Sequence, residues 1–370
     1  MSTDPLLALP GAVAGAGSDD RIAAHFGNPI AEQRALVDGR AVVRLPRGVV
    51  TVTGDDRLSW LDSLTSQRLT DMRPGESRES LLLDPQGHVE HDLRVADDGE
   101  TAWIITESGS AEGLARFLDR MRFMLRVEVA DRSQEWAVLG AFDAGLLAGL
   151  DPVAVWRDPW AVIAPGGVGY SLSAEHPGAD WTFVEAVVPL ASLGVVADRI
   201  VRGELRSAGA LAVEALRIAA WRPRLGAETD ERSIPHELDW LRSAVHLAKG
   251  CYRGQETVAK VHNLGHPPRR LVLLDIDGSD GVPVASGDLV FADRRGERVE
   301  VGRVTSSGNH YERGPIALAV IKRTVPSEAV LTVVSEGLDI AAAQEVIVPV
   351  GAGRAVEVPR MPRVGAPPRA

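Results

Sequence analysis

The chain has 370 residues, 45% of them hydrophobic, with 40 Lys and Arg against 51 Asp and Glu for a net charge of -11. That length exceeds one ordinary domain and points to two or three. The acidic balance disfavours direct nucleic-acid partners and anionic membranes, both of which want surplus Lys and Arg; the Arg-rich stretch 217–224 is the one candidate for a local basic patch. A single cysteine, Cys251, excludes an intramolecular disulfide and any multi-cysteine metal site within one chain, and no metal site is expected. The N-terminus has no basic n-region and no run of about 18 apolar residues occurs, so a cytoplasmic protein is expected.

Residues 1–20 are rich in Ala, Gly and Pro and read as mobile. The β-branched alternation at 49–53 predicts a strand. Gly54 turns the chain, and Asp55 is placed to cap a helix with Leu58, Leu61 and Leu64 on one face. Residues 81–83 and 89–95 read as a hairpin around Asp84-Pro85-Gln86-Gly87. A strand at 103–106, an amphipathic helix at 111–124 and strands at 125–129 and 136–142 follow. Further strands are expected near 160–164 and 182–188, and helices near 195–207, 210–218 and 237–248. This mixture is α+β rather than a βαβ series.

After Pro267-Pro268 the pattern becomes short strands, at 270–276, 288–291, 299–305, 316–321, 330–334 and 345–350, separated by turn residues. Such spacing suggests a small closed six-stranded barrel. The tail reads as disordered. The division expected is a flexible segment 1–38, two interlocked α+β subdomains over 39–265, a barrel over 266–352 and a disordered 353–370.

No Gly-x-Gly-x-x-Gly follows a strand, and no P-loop, His-Glu-x-x-His or Gly-x-Ser-x-Gly occurs. The informative segment is Lys249-Gly250-Cys251-Tyr252-Arg253-Gly254-Gln255-Glu256, read as a turn between two helices. Gly250 and Gly254 permit backbone shapes that other residues resist. The only thiol stands two residues from each of two cations, which favour its thiolate if they lie near in space; Cys251 and Lys249 are therefore the candidate reactive pair. The competing reading is a small buried hydrophobe in a glycine turn.

Lys-Gly-Cys-Tyr-x-Gly-Gln-Glu resembles the signature of YgfZ-type proteins, which support iron–sulfur enzymes and share a fold with the aminomethyltransferase of the glycine cleavage system. Leu216-Arg217-Ile218, Pro223-Arg224-Leu225-Gly226 and Ile234-Pro235-His236-Glu237 resemble the segment upstream of that signature. Val52-Thr53-Gly54-Asp55-Asp56 and Leu83-Asp84-Pro85-Gln86-Gly87 resemble the opening of the fold. The resemblance implies a three-domain ring with a C-terminal barrel, a central tetrahydrofolate pocket, and iron–sulfur enzymes or cluster-assembly proteins as partners.

By that resemblance, Arg217, Trp221 and Asp92 are the candidate folate contacts. The chain departs from the pattern in two places. Ala219 stands where relatives carry a glutamate for the folate head group, and His91 replaces one of a pair of aspartates, leaving Asp92. Trp221 either stacks on a pterin or fills the core. The reading is therefore an accessory protein rather than a conventional enzyme; a tetrahydrofolate-dependent aminomethyl- or methyltransferase is the alternative.

Overall fold

A computed structural model describes residues 4–16, 20–279, 281–294 and 296–356. In chain order its elements are β1 (Val13–Ala14), β2 (Ala23–His25), α1 (Pro29–Val37), β3 (Ala41–Leu45), β4 (Arg47–Thr53), α2 (Arg57–Leu64), β5 (Ser77–Leu83), β6 (Val89–Asp97), β7 (Thr101–Glu107), α3 (Ala111–Met121), β8 (Glu128–Asp131) and β9 (Trp136–Ala141). There follow β10 (Ala154–Arg157), β11 (Val184–Pro189), α4 (Ser192–Val201), β12 (Arg206–Ala208), α5 (Ala210–Ala219) and α6 (Gln255–Leu264). The barrel strands are β13 (Arg269–Ile276), β14 (Leu289–Arg294), β15 (Glu297–His310), β16 (Gly314–Lys322), β17 (Leu331–Ser335) and β18 (Leu338–Val346).

These form two five-stranded sheets, β5-β6-β7-β4-β8 and β10-β11-β9-β3-β12, and a closed barrel, β13-β16-β15-β14-β17-β18. Period-two alternation sets the arrangement. In β5, Leu82 joins Leu93, Val95, Leu114 and Leu118 in a core under α2 and α3. Leu81 and Leu83 face the other way, into a core shared with Val187 of β11 and with Leu271 and Leu318 of the barrel. The barrel holds its own interior around Val272, Val290, Ala319 and Val333. The α+β architecture with a six-stranded C-terminal barrel is thus the one expected.

Several local expectations differ. Within 1–38, residues 5–8 form a 3-10 turn, and β1, β2 and α1 are ordered elements. Leu6 and Leu9 anchor this stretch by burying against Val42, Ala137 and Leu139. The helix expected near 237–248 is a 3-10 turn, Pro235–Leu238, followed by irregular chain that Asp239 enters at φ +57°. Trp240, Leu241, Ala244 and Val245 are all fully buried, so their apolar spacing marks a buried loop rather than one helix face. The strand expected at 160–164 lies instead at β10, and Trp160 sits in a 3-10 turn. The helix near 195–207 is shorter, the strand at 125–129 is shifted to β8, and the last barrel strand ends at Val346. Asp56, not Asp55, stands at the cap of α2, and its carboxylate accepts from Arg126 rather than from the helix backbone. The motif loop precedes α6 but follows turns, not a helix. Of the tail, 357–370 lies outside the described residues.

Candidate functional site

The Lys249–Glu256 loop is held against the first sheet at three points. Lys249 buries its side chain and donates from Nζ to the carbonyls of Asp62 (2.5 Å), Thr65 (2.7 Å) and Gln67 (2.9 Å), with the Asp62 carboxylate at 3.3 Å. Burial pushes its ammonium below the ordinary lysine range, against the attraction of Asp62. It also lies 5.3 Å from the centre of the Tyr252 ring. Arg253 pairs with Glu90 at 2.6 Å and packs over Phe117 of α3 at 5.4 Å. Gln255 turns back, its Oε1 accepting from the Tyr252 amide at 3.2 Å.

The third point is a backbone contact. Gly254 has φ +84° and begins α6. A Cβ there would lie 2.7 Å from the Asp84 carbonyl and 3.1 Å from Gly87 Cα. Gly250, by contrast, meets nothing within 4 Å. Glu256 is exposed in the first turn of α6, where a carboxylate complements the helix dipole.

Cys251 is exposed on this loop. The two cations expected to serve it are engaged elsewhere: Lys249 on backbone carbonyls and Arg253 on Glu90. The structure therefore presents a solvent-facing thiol on a fixed loop, which is the geometry for contact with another molecule. The bland reading of Cys251 as a buried hydrophobe does not describe it.

The second candidate site is the ring centre, where the inward positions of both sheets carry charge. Asp92 and Arg94 alternate with Leu93 on β6, and Glu79, Glu107 and Arg47 lie on neighbouring strands. Arg47 bridges Glu107 (2.6 Å) and Glu185 of β11 (3.2 Å). Arg94 reaches Asp92 at 2.9 Å and Glu107 at 2.8 Å. Arg222 donates from Nη2 to Glu79 at 2.6 Å and from Nε to Asp158 at 2.9 Å. Burial pushes the Asp92 carboxyl up to about 7 against the pull of Arg94. Burial also acts to raise Glu107, but Arg47, Arg94 and Arg224 hold it down at about 2.

The three folate candidates do not share one surface. Arg217 is buried and pairs with Glu214 and Glu228 while donating to the Ser306 hydroxyl of β15 and the Arg222 carbonyl. With Arg222 it shows that 217–224 is an ion-paired core segment, not a basic surface patch. Trp221 is buried at φ +60°, edge-on to His176 at 5.2 Å, and borders a wide groove of about 630 Å³ between the Leu172–Pro177 stretch and the barrel. Arg217 lines the ring centre, and Asp92 reaches it through Arg94, but Trp221 does not.

The cavity at that centre, lined by Arg47, Arg94, Asp158, Glu185, Arg217 and Arg222 among others, measures about 30 Å³. Pockets that enclose a small ligand run to roughly 300–1,000 Å³. The space is too small for a pterin, so a tetrahydrofolate does not fit the ring centre as it is folded.

Sequence reasoning missed Glu79, Asp158 and Arg222 here, and Asp62, Glu90 and Phe117 as seats of the motif loop. A charged residue inside an otherwise apolar strand, as in Glu79-Ser80-Leu81-Leu82-Leu83, is the signal that could have found the first of these.

Among the described residues no group of three His, Cys, Asp or Glu is placed to hold a metal, and no helix is long and apolar enough to cross a membrane. Residues 44–142 match the family described as the GCVT N-terminal domain. The chain is 25% identical to the tRNA-modifying protein YgfZ of Shigella dysenteriae, over 74% of this chain and 82% of that one. It is 24% identical to the mitochondrial iron-sulfur cluster assembly factor IBA57 homolog of Mycosarcoma maydis, over 65% of this chain and 58% of that one. The glycine cleavage system aminomethyltransferase T of Bartonella henselae superposes with a TM-score of 0.71, covering 95% of this chain and 98% of that one at 19% identity. Matched segment, relatives and fold point the same way: the chain is similar to the YgfZ-type proteins and shares the fold of aminomethyltransferase T.

Proposed function

We propose that this chain is an accessory factor that supports iron–sulfur cluster assembly or repair and iron–sulfur-dependent tRNA modification, with the Lys249–Glu256 loop as its working surface. The observation that carries this is the exposed Cys251 thiol on a loop held by Lys249, Arg253 and the contact of Gly254 with the hairpin turn. The names of the relatives support the biological setting. In this reading Cys251 meets the partner, an iron–sulfur enzyme or a cluster-assembly protein. Lys249, Gly254 and Gln255 set the loop's shape, and Arg253 joins it to α3. The tetrahydrofolate implied by the resemblance has no step in the reading, because the ring centre has no room for it as folded. The compartment proposed is the cytoplasm.

The alternative, a tetrahydrofolate-dependent aminomethyltransferase, is not favoured. It needs a carboxylate free to orient the folate amine, and Asp92 lies buried against Arg94 at 2.9 Å beside a cavity of about 30 Å³.

The test is complementation. Wild type and Cys251→Ala are placed in a strain lacking its own YgfZ-type protein, and methylthiolated tRNA and one iron–sulfur dehydrogenase activity are measured at matched abundance. Wild type restores both and Cys251→Ala neither. Equal restoration by the two would remove the thiol from the mechanism.

A further inference from the structure

The ring centre is a place where this fold is expected to hold a ligand and this chain holds an ion-pair lattice instead. We infer that Arg222 closes the ring centre of this chain against a pterin-sized ligand by tying the two sheets together through Glu79 and Asp158. The inference stands apart from the Cys251 loop and goes beyond the proposed function.

Four observations carry it. Arg222 is buried, and its two bonds reach opposite walls: Glu79 belongs to β5 in one sheet, and Asp158 follows β10 in the other. Its guanidinium also packs over the Trp160 ring at 5.1 Å, which fixes it from a third side. The walls are themselves committed. Glu79 Oε1 accepts from Trp240 Nε1 at 3.1 Å, and Asp158 Oδ2 accepts from Trp181 Nε1 at 2.8 Å. The space left beside this arrangement is about 30 Å³.

The backbone places Arg222 where it is. α5 ends at Ala219, and Trp221 then takes a left-handed conformation, φ +60°, that a bulky residue rarely adopts. The Trp221 amide donates to the Ile218 carbonyl and the Arg222 amide to the Arg217 carbonyl, closing the helix end tightly. Arg217 Nη1 in turn donates to the Arg222 carbonyl at 2.9 Å. The next residue, Pro223, lines the same cavity.

A ligand entering the centre must take the place of the Arg222 guanidinium. Glu79 and Asp158 are then left as buried carboxylates without a counter-charge, which is among the most costly states a protein interior can hold. A neutral ring offers N–H donors but no positive charge, so it does not restore the balance. Two acids held by one arginine are the converse of a site that receives a ring through an unpaired glutamate. The alanine at 219 belongs to the same picture: Ala219 brings no carboxylate to the centre.

The experiment titrates tetrahydrofolate into the full chain by calorimetry, for wild type, Arg222→Ala, and a triple variant Arg222→Met, Glu79→Gln, Asp158→Asn. The triple variant removes all three charges together, so it leaves no buried charge unpaired if Arg222→Ala fails to fold. Wild type is expected to show no saturable binding up to about 1 mM, and the folded variants to bind at least about 100-fold more tightly than wild type. Micromolar binding by wild type overturns the inference, most directly if Arg222→Ala weakens it, because Arg222 is then a ligand contact. A folded triple variant that binds no better than wild type overturns it as well.

Discussion

Gly254 rests on Gly87. The Gly254 carbonyl would lie 3.4 Å from a Cβ at position 87, and Gly87 Cα 3.1 Å from a Cβ at position 254. Both residues have positive φ, +84° and +86°. The start of α6 thus meets the hairpin turn between β5 and β6 backbone to backbone, and the Cys251 loop inherits its position from that contact.

Gly254→Ala and Gly87→Ala are each expected to destabilise the chain by about 2–4 kcal/mol, from left-handed strain plus steric overlap. The double variant costs less than the sum, because the two residues share one contact. Gly250→Ala, in the same motif but in open space, changes stability by less than about 0.5 kcal/mol. Chemical denaturation of the four proteins separates these outcomes; equal losses at 250 and 254 would contradict the structure.

Lys249→Met leaves the carbonyls of Asp62, Thr65 and Gln67 without their shared donor. A loss of about 1–3 kcal/mol is expected, with faster amide exchange at 62–67 and 246–252. Cys251→Ala is expected to stay within about 0.5 kcal/mol of wild type, since the thiol is exposed. If both variants lower activity, only Lys249→Met does so with a stability change.

Arg217→Ala strands Glu214 and Glu228 and removes the link to Ser306 of the barrel. The expected cost is about 3–5 kcal/mol. Arg217→Lys should recover only part of it, because a single ammonium cannot serve two carboxylates, a hydroxyl and a carbonyl in that fixed geometry. Full recovery by lysine would show that charge alone matters there.

Asp92 gives a pH signature. Its folded value, about 7, lies above the unfolded value near 3.8, chiefly because it is buried, with Arg94, Glu79, Arg222 and Glu107 around it. Between those values the folded chain keeps a proton that the unfolded chain has released. Stability from this group therefore falls as pH rises from about 4 to about 7, then stays level. Asp92→Asn removes that dependence. Its stability relative to wild type should rise across the same window and flatten above pH 7, as followed by urea melts at stepped pH. A constant difference across the window would place the Asp92 proton elsewhere.

The barrel was legible because its strands are rich in aliphatic residues and punctuated by turn residues, so local pattern and tertiary role agree. The stretch 240–245 was misread because residues buried on every side carry no facial period, and Trp240, Leu241, Ala244 and Val245 looked like one stripe of a helix. The motif loop was found from its eight residues, but Lys249 and Arg253 were assigned to the thiol because they are neighbours in sequence. In space Lys249 serves carbonyls near 62–67, and Arg253 serves Glu90.

By itself the sequence determined the α+β class, the barrel, the hairpin turn at Asp84–Gly87 and the loop that carries the only thiol. Each depends on local spacing or on residue types with strong conformational or chemical preferences. Only the tertiary structure decided which charges meet. Glu79, Asp158 and Arg222 come from segments far apart in the chain, and ion pairing in a buried centre depends on distances of a few ångströms that no spacing along one strand encodes. That is why the thiol loop could be read from the letters, and the closed ring centre could not.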